Sequence, residues 1–294
     1  MNIKAKFKNI LSTLPLGGMG WVLLLSLLTA CSNIDEDERL IYVKPADVAR
    51  AVLIEDFTGQ RCINCPAATD VIHQLQEAYG DDKIIAVAIH SGPFAHRSTL
   101  TSPFISDLGT EQGDDYFNHW NIEGQPGVKI NRGAPIYDPS QYAAAVSKEM
   151  QKNAPVAIEK IYGQSNGAGQ MTFNIVLGMA TADIIGKLQV WIVEDGINSE
   201  GGNRLYTQFF PNNVTDVNYV HNHVFRASIT NDPYGDPVSL KLGQQLPAIS
   251  YQAKLAEGWK KENLSLVVFI WNEAEGVLQV ARRAFKDFDE PTPL

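Results

Sequence analysis

Two cysteines placed three apart, directly after an apolar run, constrain this chain more than any other feature. The run is Val52-Leu53-Ile54-Glu55-Asp56-Phe57-Thr58-Gly59, and Cys62-Ile63-Asn64-Cys65-Pro66 follows almost at once. The segment Ala67 to Leu75 then carries apolar residues near the helical period, with Gly80 as its stop. The order is strand, loop, Cys-x-x-Cys, helix. Cys62 is expected at the helix N-terminus, where unpaired N–H groups and the macrodipole favour a negative charge. That position lowers a thiol pKa, and the thiolate is the reactive species. Cys65, one turn further in, is close enough to close a disulfide onto Cys62. Lys83 to His90 is a second apolar run and reads as a parallel core strand, so the stretch predicts a βαβ unit.

A Cys-x-x-Cys beside a βαβ pattern resembles the thioredoxin family. The later run Tyr116 to Asn131 adds to the likeness, because Gln125-Pro126-Gly127 stands where that family carries a cis-proline at the start of a strand. The resemblance implies an α/β thioredoxin-like domain over residues 46–152, with Pro139 to Gln151 as its closing helix. It also implies roles. Cys62 would be the attacking sulfur and Cys65 the resolving one. Gln125, Pro126 and Gly127 would line the substrate-binding loop. Arg61 stands where the family has a tryptophan, which places a cation beside Cys62. Gly127 replaces a common threonine. Ser91 to Asp115 reads as an insertion of polar loop character. Glu55 and Asp56 have two readings, a proton relay for Cys65 or charges at a solvent-facing strand end.

The first thirty residues read as a targeting segment. Lys4, Lys6 and Lys8 precede the apolar stretch Trp21 to Leu28, and Leu28-Thr29-Ala30-Cys31 follows. This resembles a bacterial lipobox, which implies lipidation at Cys31 and a signal peptide over 1–30. Residues 31–45 read as an acidic tether containing Asp35-Glu36-Asp37-Glu38. That run resembles the surface-export signal of Bacteroidetes-type lipoproteins. Taken together, the chain resembles the Omp28-related outer membrane lipoproteins. The implied location is the outer membrane, lipid-anchored and facing the cell surface.

Beyond Lys152-Asn153-Ala154-Pro155 the pattern changes to short alternating runs separated by turn signals. Thr172-Phe173-Asn174-Ile175-Val176 and Leu188-Gln189-Val190-Trp191-Ile192 show the alternation plainly. Many strands with no helix between them predict an all-β immunoglobulin-like sandwich domain over 155–288. His221-Asn222-His223 has strand spacing, which would put both rings on one face. With no third ligand nearby, the expectation is no metal. Phe209-Phe210, in a long loop, reads as packing.

The formal charge is −9 and the pI about 5.2, which argues against a nucleic-acid partner. There is no P-loop, no Gly-x-Ser-x-Gly elbow and no His-Glu-x-x-His. No cofactor is expected. Two functions stay open. One is thiol–disulfide exchange on envelope or extracellular proteins. The other is a surface adhesin or receptor that binds host or extracellular protein, with Cys62–Cys65 as a structural disulfide in an oxidising compartment.

Overall fold

The computed structural model describes residues 48–95, 106–199 and 206–288. The signal peptide, Cys31, the acidic tether and residues 96–105 of the insertion lie outside the described residues. Strands β1 (Val48–Ala49) and β2 (Val52–Thr58) lead into α1 (Cys65–Tyr79) and β3 (Ile84–His90). Next come α2 (Glu111–His119), β4 (Gly127–Ile130), α3 (Tyr142–Met150) and β5 (Asn153–Ala154). The rest is strand: β6 (Ile158–Gly167), β7 (Gln170–Leu177), β8 (Ile184–Glu194), β9 (Gln208–Phe210), β10 (Val214–Asp216) and β11 (Val224–Ser228). After these come β12 (Asp236–Leu240), β13 (Ile249–Lys254), β14 (Leu264–Asn272) and β15 (Gly276–Ala284).

One mixed sheet runs through both halves of the chain. Its order is β15-β14-β8-β11-β3-β2-β4, with β12 also on β8. β2 and β3 are parallel, Val52 opposite Ile84 and Thr58 opposite His90, and α1 makes the crossover. β3 has a second parallel neighbour, β11, through Val224 opposite Ala88. Long β8 shares one edge between β11 and β12 and gives the other to β14. A three-stranded sheet, β13-β7-β6, packs on part of this frame.

This corrects the expected fold class. An α/β thioredoxin-like domain followed by a separate immunoglobulin-like sandwich is not what the chain builds. Among the described residues there are only three α-helices against fifteen strands, and β2, β3 and β4 belong to the same sheet as β8, β14 and β15. The described residues form one compact unit. The physical reason is the free edge of β3. A parallel strand there needs a partner, and the chain supplies β11 from its second half.

Alternation sorts the core. Leu264, Leu266, Val268 and Ile270 of β14 enter one apolar cluster with Phe173, Ile175 and Leu188. Val267, Phe269 and Trp271 enter another with Trp191, Phe225, Tyr116, Phe57 and Leu53. So β14 is buried on both faces. A third cluster, built from Ile54, Ala86, Ile72 and Val146, lies under α1 and α3. The sheet also curls. The Val277 amide donates to the Asn131 carbonyl just beyond β4 at 3.0 Å, and the Ala51 amide donates to Gln279 Oε1 at 2.9 Å. The two edge strands therefore meet at one end. Gly276 makes this approach possible, since its φ is +71° and a Cβ there would overlap the Asn131 carbonyl oxygen.

Inside the curl lies one ion pair. Arg132 Nε stands 3.3 Å from Glu55 Oε1, and Arg132 Nη2 donates to Gln189 Oε1 at 2.7 Å. Four rings surround the guanidinium, those of Trp271, Phe269, Trp120 and Trp191, at 4.0 to 5.8 Å. Burial pushes the Glu55 carboxyl up, with Arg132 and Lys129 opposing. Of the two acidic residues ahead of the cysteines, Glu55 is thus structural.

Candidate functional site

Cys62 and Cys65 are bonded, with an S–S distance of 2.02 Å. The turn that carries them is closed by the Cys62 amide on the Gly59 carbonyl at 2.9 Å and the Cys65 amide on the Cys62 carbonyl at 3.3 Å. Cys65 is the first residue of α1, Pro66 is in the first turn, and Asn64 caps the helix with no side-chain hydrogen bond. Cys62 therefore stands in the turn ahead of the helix, three residues earlier than its first helical residue. The helix is N-terminally open towards the disulfide. The middle of the motif faces out, Ile63 being 46% exposed, but Cys62 and Cys65 are only 2% and 1% exposed.

Asp56, on β2, is buried against Thr69 of α1. Thr69 Oγ1 donates to its Oδ2 at 3.4 Å, and Oδ1 has no partner. Burial raises this carboxyl to about 7, which the Thr69 hydroxyl offsets only in part. Two imidazoles stand on the same side. His90 ends β3, and its ring centroid is 5.3 Å from that of His221, which in turn is 4.7 Å from Tyr219. Burial drives His90 well below its ordinary value, with His221 and Arg226 adding to the effect. Burial lowers His221 to about 4 despite its backbone acceptors at Tyr206 and Thr207. His90 Nδ1 and His221 Nε2 are buried without a hydrogen-bond partner. Cys65, Thr69, His90, Tyr219 and His221 share one narrow cleft of about 20 Å³. That is room for about one water molecule.

The opposite side of the motif is open. Asn64, Gln125, Pro126 and Tyr137 line a groove of about 390 Å³. The Gln125–Pro126 peptide is cis. Gln125 turns inward, its Nε2 donating to the carbonyls of Thr58 at 2.7 Å and Ser91 at 3.0 Å. It thereby ties the proline loop to the ends of β2 and β3. Gly127 is buried as the first residue of β4. Arg61 is half-buried, and its amide donates to the Phe94 carbonyl at 3.1 Å. The structure thus brings Pro126 next to the motif, while Arg61 lies on the side of Phe94.

His221 and His223 do not share a strand face. His223 has a φ of +56°, which breaks the alternation. Its ring faces His73 and pairs with Asp195 at 2.8 Å, and Arg282 binds the same carboxylate. Burial would raise Asp195, but His223 and Arg282 outweigh it and hold that carboxyl at about 2. Among the described residues no group of three His, Cys, Asp or Glu side chains is arranged to hold a metal. Sequence reasoning missed His90 and Gln208. His90 is the polar end of an otherwise apolar strand, and that break in pattern was the available signal. Gln208 had none.

Fold and site together define a mixed-sheet protein with a covered disulfide at the start of its first helix. A solved structure, HBP35 of Porphyromonas gingivalis, shares this fold at a TM-score of 0.61 and 15% identity, over 84% of this chain and 78% of that one. A domain of the outer membrane lipoprotein Omp28 from the same organism matches 44% of this chain and 86% of its own length, at 16% identity and a TM-score of 0.28. None of the curated protein sequences matches significantly. The family model for outer membrane protein Omp28 matches residues 113–288, and the chain belongs to that family. It is an outer-membrane protein, as the sequence resemblance implied.

Proposed function

We propose that this outer-membrane protein is lipid-anchored through Cys31 and faces the cell surface, and that Cys62–Cys65 exchanges its disulfide with dithiols of envelope or extracellular polypeptides. One observation carries the reading. Cys65 shares its cleft with His90, His221 and Thr69, and Thr69 in turn bonds Asp56; all three ionisable side chains are buried, each with an atom lacking any partner. Such atoms cost stability, and a four-residue loop closed by a disulfide returns only about 2 kcal/mol. Perturbed groups of this kind gather where protons are moved. In the step proposed, a substrate thiolate attacks Cys62 Sγ. The S–S bond breaks, and its electron pair leaves on Cys65 Sγ, which takes a proton from Asp56 by way of Thr69 and the water-sized cleft. A second substrate thiolate attacks the mixed disulfide and releases Cys62 as thiolate. The substrate's two thiol protons go to water, from which one restores Asp56 and the other reaches Cys62, so that two electrons and, in net, two protons pass to the cysteine pair and the substrate leaves as a disulfide.

The test is single-turnover oxidation of a reduced polypeptide dithiol by the purified protein. One equivalent of disulfide should form per chain, and none with Cys62→Ser. Formation that persists in the variant would refute the reading. The near-complete burial of both sulfurs favours a second reading, a static disulfide in an adhesin or receptor. Binding of extracellular matrix proteins that survives replacement of both cysteines would support it. Surface orientation is tested by protease treatment of intact cells, and protection until the outer membrane is broken would exclude it.

A further inference from the structure

Strands β9 and β10 form a two-stranded ribbon of their own, outside the large sheet. None of residues 208–216 belongs to an apolar cluster. The outer strand is exposed, with Val214 at 54%. The tip turns through Asn212 and Asn213, whose φ values are +64° and +61°. Two successive non-glycine residues there hold a conformation with a steric cost.

What keeps the ribbon down is mainly polar, with one ring contact, Phe210 on Tyr219 at 5.9 Å. The Phe209 amide donates to the Gln60 carbonyl at 2.8 Å. Gln208 Nε2 donates to the Cys62 carbonyl at 3.0 Å, and Gln60 Nε2 donates to the Thr207 carbonyl at 3.2 Å. Thr207 to Phe209 therefore lies along Gly59 to Cys62 as an extended segment. Gln208 also lines the cleft with Cys65. A segment held this way, by a few hydrogen bonds and one ring contact and outside every apolar cluster, opens at low cost compared with the body of the fold.

We propose that β9 is a built-in stand-in for substrate. An extended polypeptide carrying the thiols takes the place of Thr207–Phe209 along Gly59–Cys62, and exchange proceeds only when the ribbon lifts. The substrate class is accordingly an extended or unfolded polypeptide segment. This rests on the exchange reading. The backbone carbonyls of Gln60 and Cys62 give the incoming strand its acceptors, as strand addition requires.

The test uses the full protein and two rates: reduction of Cys62–Cys65 by dithiothreitol, followed by thiol labelling, and oxidation of a reduced polypeptide dithiol. Gln208→Ala removes the side-chain latch, and Phe209→Pro removes the amide donated to Gln60. A urea midpoint near that of the wild type identifies the folded variants. Reduction is expected to accelerate at least tenfold in Gln208→Ala, and polypeptide oxidation by a similar factor. A cysteine-free peptide of sequence Thr-Gln-Phe-Phe should slow both reactions of the variant. Reduction rates within twofold of wild type in folded variants would overturn the ribbon's role and leave exchange standing. Fast labelling with no polypeptide oxidised would keep the ribbon as a cover and remove the exchange reading.

Discussion

Replacing Asp56 with Asn should make the protein more stable, and by an amount that depends on pH. The carboxyl is enclosed, holds one weak hydrogen bond from Thr69 and has its other oxygen unpartnered. Burial moves it from an ordinary 3.8 to about 7. An acid raised on folding binds its proton more tightly in the folded state than in the unfolded one. Its full contribution to stability is therefore present below about 3.8 and is lost as pH rises through about 7. At about 1.4 kcal/mol per tenfold change in proton affinity, the loss across that window is about 4 kcal/mol. Asn keeps the shape and carries no charge. The histidines act in the opposite sense. His221, lowered to about 4, is stabilising above its ordinary 6.5 and loses that contribution as pH falls. Wild-type stability alone would mix the two effects, so the difference between wild type and Asp56→Asn is the quantity to measure. Urea denaturation at pH 5, 6, 7 and 8, with the disulfide intact, gives it. The variant's advantage should grow by about 2 to 3 kcal/mol from pH 5 to 8 and level off above 7. A difference that stays flat across this range would mean the carboxyl is hydrated or ionised throughout, and the proton supply assigned to it would fall.

Other outcomes follow from the packing. Arg132→Met should cost about 3 to 5 kcal/mol, because Glu55 is left as a buried charge, and adding Glu55→Gln should recover most of it; denaturation of both variants measures this. Phe269→Ala should cost about 3 to 5 kcal/mol, since its ring is fully buried and packs on both Trp191 and the Arg132 guanidinium. Gly276→Ala should lower the melting temperature by several degrees, as it pushes on the Asn131 carbonyl where the sheet edges meet. A variant that melts like the wild type would show that this junction yields freely.

The sequence made the strands of the second half legible because each is short, alternating and bounded by turn residues. The alternating runs Thr172–Val176 and Leu188–Ile192 fall inside β7 and β8. The Cys62–Cys65 bond was readable from local spacing, and the cis peptide before Pro126 from the resemblance. What failed was the choice of neighbours. The apolar pair Val224-Phe225 marks the buried end of β11 but not that β3 lies alongside. That pairing spans more than a hundred residues, and no local pattern encodes it. Helix α2 was read as part of a loop, although Thr110 caps it by accepting from the Gly113 amide and Glu111 and Asp114 occupy its first turn. Nothing local in the sequence marks Arg132. Its burial depends on Glu55, Gln189 and four rings drawn from distant segments.

The seat of β11 between β3 and β8 has a consequence for how the molecule comes into being. As the chain is made from its amino end, β3 exists long before residue 224 does. Until then its outer edge is a bare parallel template, open to strands of any other molecule nearby. Pairings across such distances in sequence form slowly, so the vulnerable interval is long. Fragments ending near residue 152 should aggregate rather than persist as a free half, and whatever escorts the nascent polypeptide must shield that edge until the second half arrives.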